Sequence, residues 1–172
     1  MKLLASLKDD QYSFTYTDHV RLIARGVVYN EKKEIALIKL HGQDKFGDRN
    51  YYELPGGGVK DTETNDEAFV REIIEEVGWK VTIIAELGEV DDFYNLIHRE
   101  NHNFYFLGSC LSFVGTKLDD YEKTIMEKVI WVSIDEAITI FKNMHNQGCA
   151  TLVQRRELPI LMLAKQKMKE KI

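Results

Sequence analysis

Proline and cysteine are scarce in this sequence, with two of each in 172 residues. There is no Ser/Gly-rich linker, low-complexity run or fixed-period repeat, so a single domain over residues 1–172 is expected. Cys110 and Cys149 lie far apart and outside any CxxC or Cys/His spacing. A disulfide framework and a cysteine-based zinc site are therefore not expected. No segment approaches the roughly 20 apolar residues of a membrane span, and the apolar stretch near Met1 is interrupted too early for a signal-peptide core. The expectation is a cytoplasmic protein with no membrane partner. Basic charge is also in deficit: 23 Lys and Arg against 28 Asp and Glu give a net charge of -5. That excludes a basic platform for duplex nucleic acid, and an acidic chain that binds polyphosphate needs metal ions or a local cluster of Lys and Arg.

What is present is a succession of apolar segments with regular spacing. Residues 20–29 and 34–40 read as strands joined by the polar turn 30–33. The polar loop 41–50 leads to a short strand, 51–54, stopped by Pro55 and three glycines. Residues 64–77 have helical spacing, with Thr64 or Asn65 as N-cap and Gly78 as the stop. Segments 79–90, 103–113 and 129–134 read as further strands. Ser133 and Glu136 have capping-box spacing at the head of a helix over 135–144. A last helix is expected over about 152–169, kinked or broken at Pro159, with Lys165, Lys167, Lys169 and Lys171 as a solvated end. This mixture predicts an α+β fold, a mixed β-sheet sandwiched between α-helices.

The chemistry lies in the helix over 64–77. At about 100° per residue, Phe69, Val70, Ile73, Ile74 and Val77 fall on one arc that must face the core. Glu72, Glu75 and Glu76 fall together on the adjoining arc. Like charges so placed repel, and partial burial raises the cost. A divalent cation would remove the penalty, and an all-oxygen ligand set suits Mg²⁺ or Mn²⁺ better than softer metals.

The same residues belong to a longer pattern, Gly57-x5-Glu63-x7-Arg71-Glu72-Ile73-x-Glu75-Glu76-x-Gly78-Trp79. It resembles the signature of the Nudix (MutT-like) hydrolase family, G-x5-E-x7-R-E-U-x-E-E-x-G-U, where U is a bulky aliphatic residue. A chance match is on the order of 10⁻⁷ at average residue usage. Trp79 departs from the pattern in being aromatic, and every charged position is intact. The pattern covers Gly57 to Trp79, and the flanking elements are compatible with the family's α/β/α sandwich.

The resemblance implies divalent-metal-dependent hydrolysis of a phosphoanhydride bond in a nucleoside diphosphate linked to another moiety. Candidates are a nucleoside triphosphate, a nucleotide sugar and a dinucleoside polyphosphate. It implies that Gly57, Glu72, Glu75 and Glu76 hold Mg²⁺ or Mn²⁺, and that one of these glutamates or Glu127 acts as base. Glu63 and Arg71 would pair and support the site, with Glu67 as the other candidate partner of Arg71. Lys39, His41, Lys45, Arg49 and Tyr94 are candidates for contact with substrate, and a homodimer is compatible with the sequence. A non-catalytic nucleotide-binding sensor of the same fold is the alternative, although such a protein would be expected to have lost metal-site carboxylates.

Overall fold

The structure is a computed structural model that describes residues 1–144 and 148–170, so that Lys171 lies outside it. The strands are β1 (Leu3–Leu7), β2 (His19–Tyr29), β3 (Glu34–Asp44), β4 (Gly47–Glu53), β5 (Gly56–Gly58), β6 (Trp79–Tyr94), β7 (Arg99–Phe113) and β8 (Met126–Ser133). The helices are α1 (Asn65–Glu72), α2 (Glu122–Ile125), α3 (Ile134–Lys142) and α4 (Cys149–Glu170).

The strands run β1-β6-β7-β2-β3-β4 in space, with β5 added to β2 and β8 to β3. Strand alternation gives the sheet two apolar faces. Val27, Tyr105 and Leu107 pack against Phe141 of α3 and Ile160 and Leu161 of α4. Ala24, Val28 and Phe106 pack on the other side against Phe69 of α1 and the Ile73 and Val77 that follow it. The result is the expected helix–sheet–helix sandwich.

Strands β2 and β3 meet at their connecting turn, where Tyr29 pairs with Ile35. The Asn30 side chain holds that turn by accepting from the Lys32 and Glu34 amides at 2.9 and 3.0 Å. Beyond it β2 pairs with β5 through Ile23–Arg25, while β3 pairs with β4 through Ile38–Asp44. The two strands part, and a cleft of about 520 Å³ is lined there from β2, β4 and β5.

Several elements differ from the sequence reading. β6 and β7 reach Tyr94 and Arg99, so the polar residues 91, 92 and 99–102 also lie in strands. They suit that position because Asp92 accepts from Asn101 and Asn103 at 2.8 and 3.1 Å and is bound by Arg156 of α4 at 2.6 Å. α4 runs through Pro159 without a break. Ser133 caps α3 by accepting from the Glu136 amide at 3.1 Å.

Candidate active site

α1 begins with a reciprocal cap: Thr64 accepts from the Glu67 amide, and the Glu67 carboxylate accepts from the Thr64 amide at 2.9 Å. This use of Glu67 leaves Arg71 to other partners. The helix ends in a π-helical turn, Ile73–Val77, closed by Gly78 at φ 82. One residue more than an α-turn is accommodated there. Phe69, Ile73 and Val77 are buried as expected, whereas Val70 and Ile74 are half-buried and Glu72 and Glu76 are buried instead.

Both buried carboxylates face the glycine strand β5. The Gly56 amide donates to Glu76 Oε2 at 2.7 Å. Glu72 lies so close to Gly57 that a Cβ there would meet its carboxylate at 2.6 Å. Glycine at 57 is thus a requirement of space.

Arg71 organises the remaining acids with all five of its N–H groups. Nε and Nη2 grip Glu63 at 2.9 and 2.6 Å, and Nη2 also donates to the Gly58 carbonyl at 2.9 Å. Nη1 donates to Glu72 at 2.6 Å and Glu75 at 2.8 Å. The bidentate grip of Arg71 holds the Glu63 carboxyl down at about 2, well below the usual carboxylate value. Glu72 is shifted upward by burial against the lowering effect of Arg71. Burial, reinforced by the charge of Glu72, raises Glu76 well above the ordinary range.

Oxygens of Glu72, Glu76 and Glu122 lie within 4.8 Å of one another. Glu72 and Glu76 are buried, and burial disfavours their ionised forms. An all-carboxylate set of this kind fits a hard divalent cation. Glu122, on the short helix α2, was not foreseen from the sequence. The residue expected there, Glu127, points elsewhere: its side chain is 41% exposed and pairs with Lys128 at 3.6 Å. Five residues further along, it has already entered β8, beyond the helix that meets the cleft. Glu75 is outside the carboxylate triangle, lines the cleft and is 30% exposed.

The positive charge that the composition demanded is local. Arg21, Arg25, Arg49, Arg99 and Arg156 all line the cleft with the acids. Arg25 and Arg156 are buried and tied to Glu157 at 3.3 and 2.9 Å. Arg21 and Arg99 are shifted downward by burial and by a neighbouring arginine, Arg25 and Arg21 respectively. Guanidinium stays protonated, so these two groups carry charge that an anionic ligand would stabilise. Of the residues expected to contact substrate, Arg49 and Tyr94 line the cleft. Tyr94 is buried, edge-on to Phe46 at 5.6 Å, with its hydroxyl 3.5 Å from Arg156. His41 is exposed beside a separate shallow groove. Lys39 bonds Asn50 and lies over the Tyr52 ring at 4.7 Å, and Lys45 is exposed at the hairpin tip. Arg21, Arg25, Arg99 and Arg156 were missed because each sits in a strand or helix far from the box, where a single arginine carries no local signal.

Comparison with known proteins identifies the family and the fold. The family model described as NUDIX domain matches residues 19–155. A Bacillus subtilis (strain 168) protein named "Putative 8-oxo-dGTP diphosphatase" is 39% identical over 107 residues, 62% of this chain and 62% of that protein. A Mycobacterium tuberculosis protein named "Putative mutator protein MutT4" is 29% identical over 51% of this chain and 35% of its own length. In both, the match spans less than two thirds of the curated relative. Among solved structures, a Nudix hydrolase from Nitrosomonas europaea superposes with a TM-score of 0.62 at 19% identity, covering 89% of this chain and 90% of that one. The MutT protein from Methanosarcina mazei Go1 gives 0.59 at 18% identity, covering 92% and 99%. These two share the fold. With its box intact and four fifths of its length matched, the chain belongs to the Nudix family.

Proposed function

We propose that the protein hydrolyses a phosphoanhydride bond in a nucleoside diphosphate joined to another group, with Mg²⁺ or Mn²⁺ bound by Glu72, Glu76 and Glu122. The observation that carries this reading is the convergence of three carboxylate oxygens within 4.8 Å, inside a cleft otherwise lined by arginines. Neither half explains the other. Arginines recruit the polyphosphate, and carboxylates would repel it unless a cation lay between them.

A divalent cation at this position supplies neutralisation of the phosphate oxygens and a water of lowered pKa. The chain's own groups do the rest. Arg21 and Arg99 face the anionic substrate without having to give up a buried carboxylate partner. Arg71 clamps Glu63, Glu72 and Glu75, which fixes the acids before substrate arrives. Glu75, half-exposed and outside the triangle, takes the proton from the attacking water. The Gly57 carbonyl, on the strand beside Glu72, would be a further oxygen ligand for the cation. Products are a nucleoside monophosphate and a phosphorylated partner group, or pyrophosphate when the substrate is a triphosphate.

The relative named for 8-oxo-dGTP makes a nucleoside triphosphate the substrate to try first. A panel of nucleoside triphosphates, nucleotide sugars, ADP-ribose and dinucleoside polyphosphates is expected to contain at least one compound cleaved with Mg²⁺ and spared with EDTA. Tight binding of a panel member with no cleavage of any would replace the hydrolase by a sensor.

A further inference from the structure

Away from the cleft, β6 and β7 carry a second group of ionisable side chains. Asn101 and Asn103 donate to Asp92 of β6 on the face where Arg156 of α4 binds it, and the Tyr105 hydroxyl donates to Glu157 of α4 at 3.4 Å. By alternation Glu100 and His102 occupy the other face of β7. There His102 meets Glu89 and Asp91 of β6. Its Nδ1 lies 3.2 Å from Glu89 Oε1 and 2.9 Å from Asp91 Oδ1, and its Nε2 lies 3.3 Å from Glu100 Oε1.

Two features set this group apart from an ordinary surface ion pair, and a third is compatible with ligation. Asp91 Oδ1 is shut off from solvent and makes no hydrogen bond among the described residues, despite its nearness to the imidazole. Three carboxylates, those of Glu89, Asp91 and Glu100, lie within 3.3 Å of the one imidazole. The spacing is also that of ligands: with bonds of about 2.1 Å, neighbouring donors stand about 3.0 Å apart in an octahedral site and about 3.4 Å in a tetrahedral one.

We propose that His102 Nδ1, Glu89 and Asp91 form a second divalent-cation site, distinct from the glutamate cluster, for an ion of the Zn²⁺ or Co²⁺ class. The imidazole nitrogen is the reason for that class, since Mg²⁺ prefers oxygen donors alone. Glu100 takes the place of the outer carboxylate that receives the second ring N–H of a metal-bound histidine. When the ion binds to the imidazolium form, the Nδ1 proton leaves to solvent, so that one proton is released per ion. All four side chains are partly open, at 14 to 28% exposure, and an ion can enter from solvent.

The test is titration of the whole protein with Co²⁺ in saturating Mg²⁺, followed by visible absorption, proton release and the imidazole NMR signals. One Co²⁺ per chain is expected that Mg²⁺ does not displace, with the His102 ring signals broadened. His102→Asn should abolish that binding and leave Mg²⁺-dependent nucleotide hydrolysis unchanged. Glu100→Gln should weaken it by about 10–100-fold. Should His102→Asn fail to fold, Glu100→Gln and the ring signals of the wild-type protein decide. Absence of any Co²⁺ that survives Mg²⁺ competition, or equal binding by His102→Asn, overturns the site. Because the readout is binding, the result is independent of whether the cleft is a hydrolase.

Discussion

Replacing Glu76 by glutamine is expected to cost more than about 100-fold in kcat, above the 10–100-fold typical of a partner that only supports a metal ligand. The same change is expected to leave the metal-free protein as stable as before, or more so. Glu76 is buried, its neighbour Glu72 is also acidic, and its own carboxyl is raised well above the normal range. A group whose folded value is raised contributes fully to stability below its unfolded value and loses that contribution as pH rises. Metal-free wild type should therefore lose stability from about pH 4.5 upward. Glutamine retains an oxygen for the Gly56 amide and removes the charge. With an ion at a hundred times its Kd, wild type gains about 2.7 kcal/mol, or about 5–11 °C in Tm for a chain of this size. The variant should gain little. Calorimetry with Mg²⁺ and with EDTA, set beside turnover, checks both halves. A variant that melts early in EDTA would mean that Glu76 stabilises the fold directly.

Arg71→Lys is the second large effect. Lysine keeps the charge but cannot make five directed bonds from a planar fork. Glu63, Glu72, Glu75 and the Gly58 carbonyl would share one ammonium, and the loop between β5 and α1 would lose its tie to the helix. A destabilisation of roughly 2–4 kcal/mol is expected, since partners are left behind in a largely buried setting. Turnover should fall by about 10–100-fold, as for other loss of support behind a metal site. Urea unfolding and steady-state kinetics measure the two. Near-normal kinetics would show that the acids hold their positions without the clamp.

The parts of this site that could be read from sequence are those whose meaning is local. Gly57, Glu63, Arg71, Glu72 and Glu76 lie within 20 residues, and the spacing of a helix and its entry loop places them against each other. The π-helical turn Ile73–Val77 leaves no mark on apolar periodicity, and the buried arc runs through Glu72 and Glu76 with Val70 and Ile74 at its half-buried edge, which the apolar pattern alone did not indicate. Glu122 escaped for a different reason. Its approach to Glu72 depends on how the segment after β7 folds back, and nothing in the four residues between it and Glu127 says which of the two returns. The arginines are a third case. Arg21 and Arg25 sit in a strand otherwise read as apolar, and Arg156 in the last helix, so their convergence exists only in the tertiary structure. The strands over 91–94 and 99–102 were hidden by their polar residues, which pair with Arg156 and with each other inside the protein.

The most direct measurement is anomalous diffraction from crystals soaked in Mn²⁺. A peak is expected about 2.0–2.2 Å from carboxylate oxygens of Glu72, Glu76 and Glu122. A well-ordered crystal with no density there, or with the ion held by Glu127 while Glu122 turns to solvent, would contradict the account.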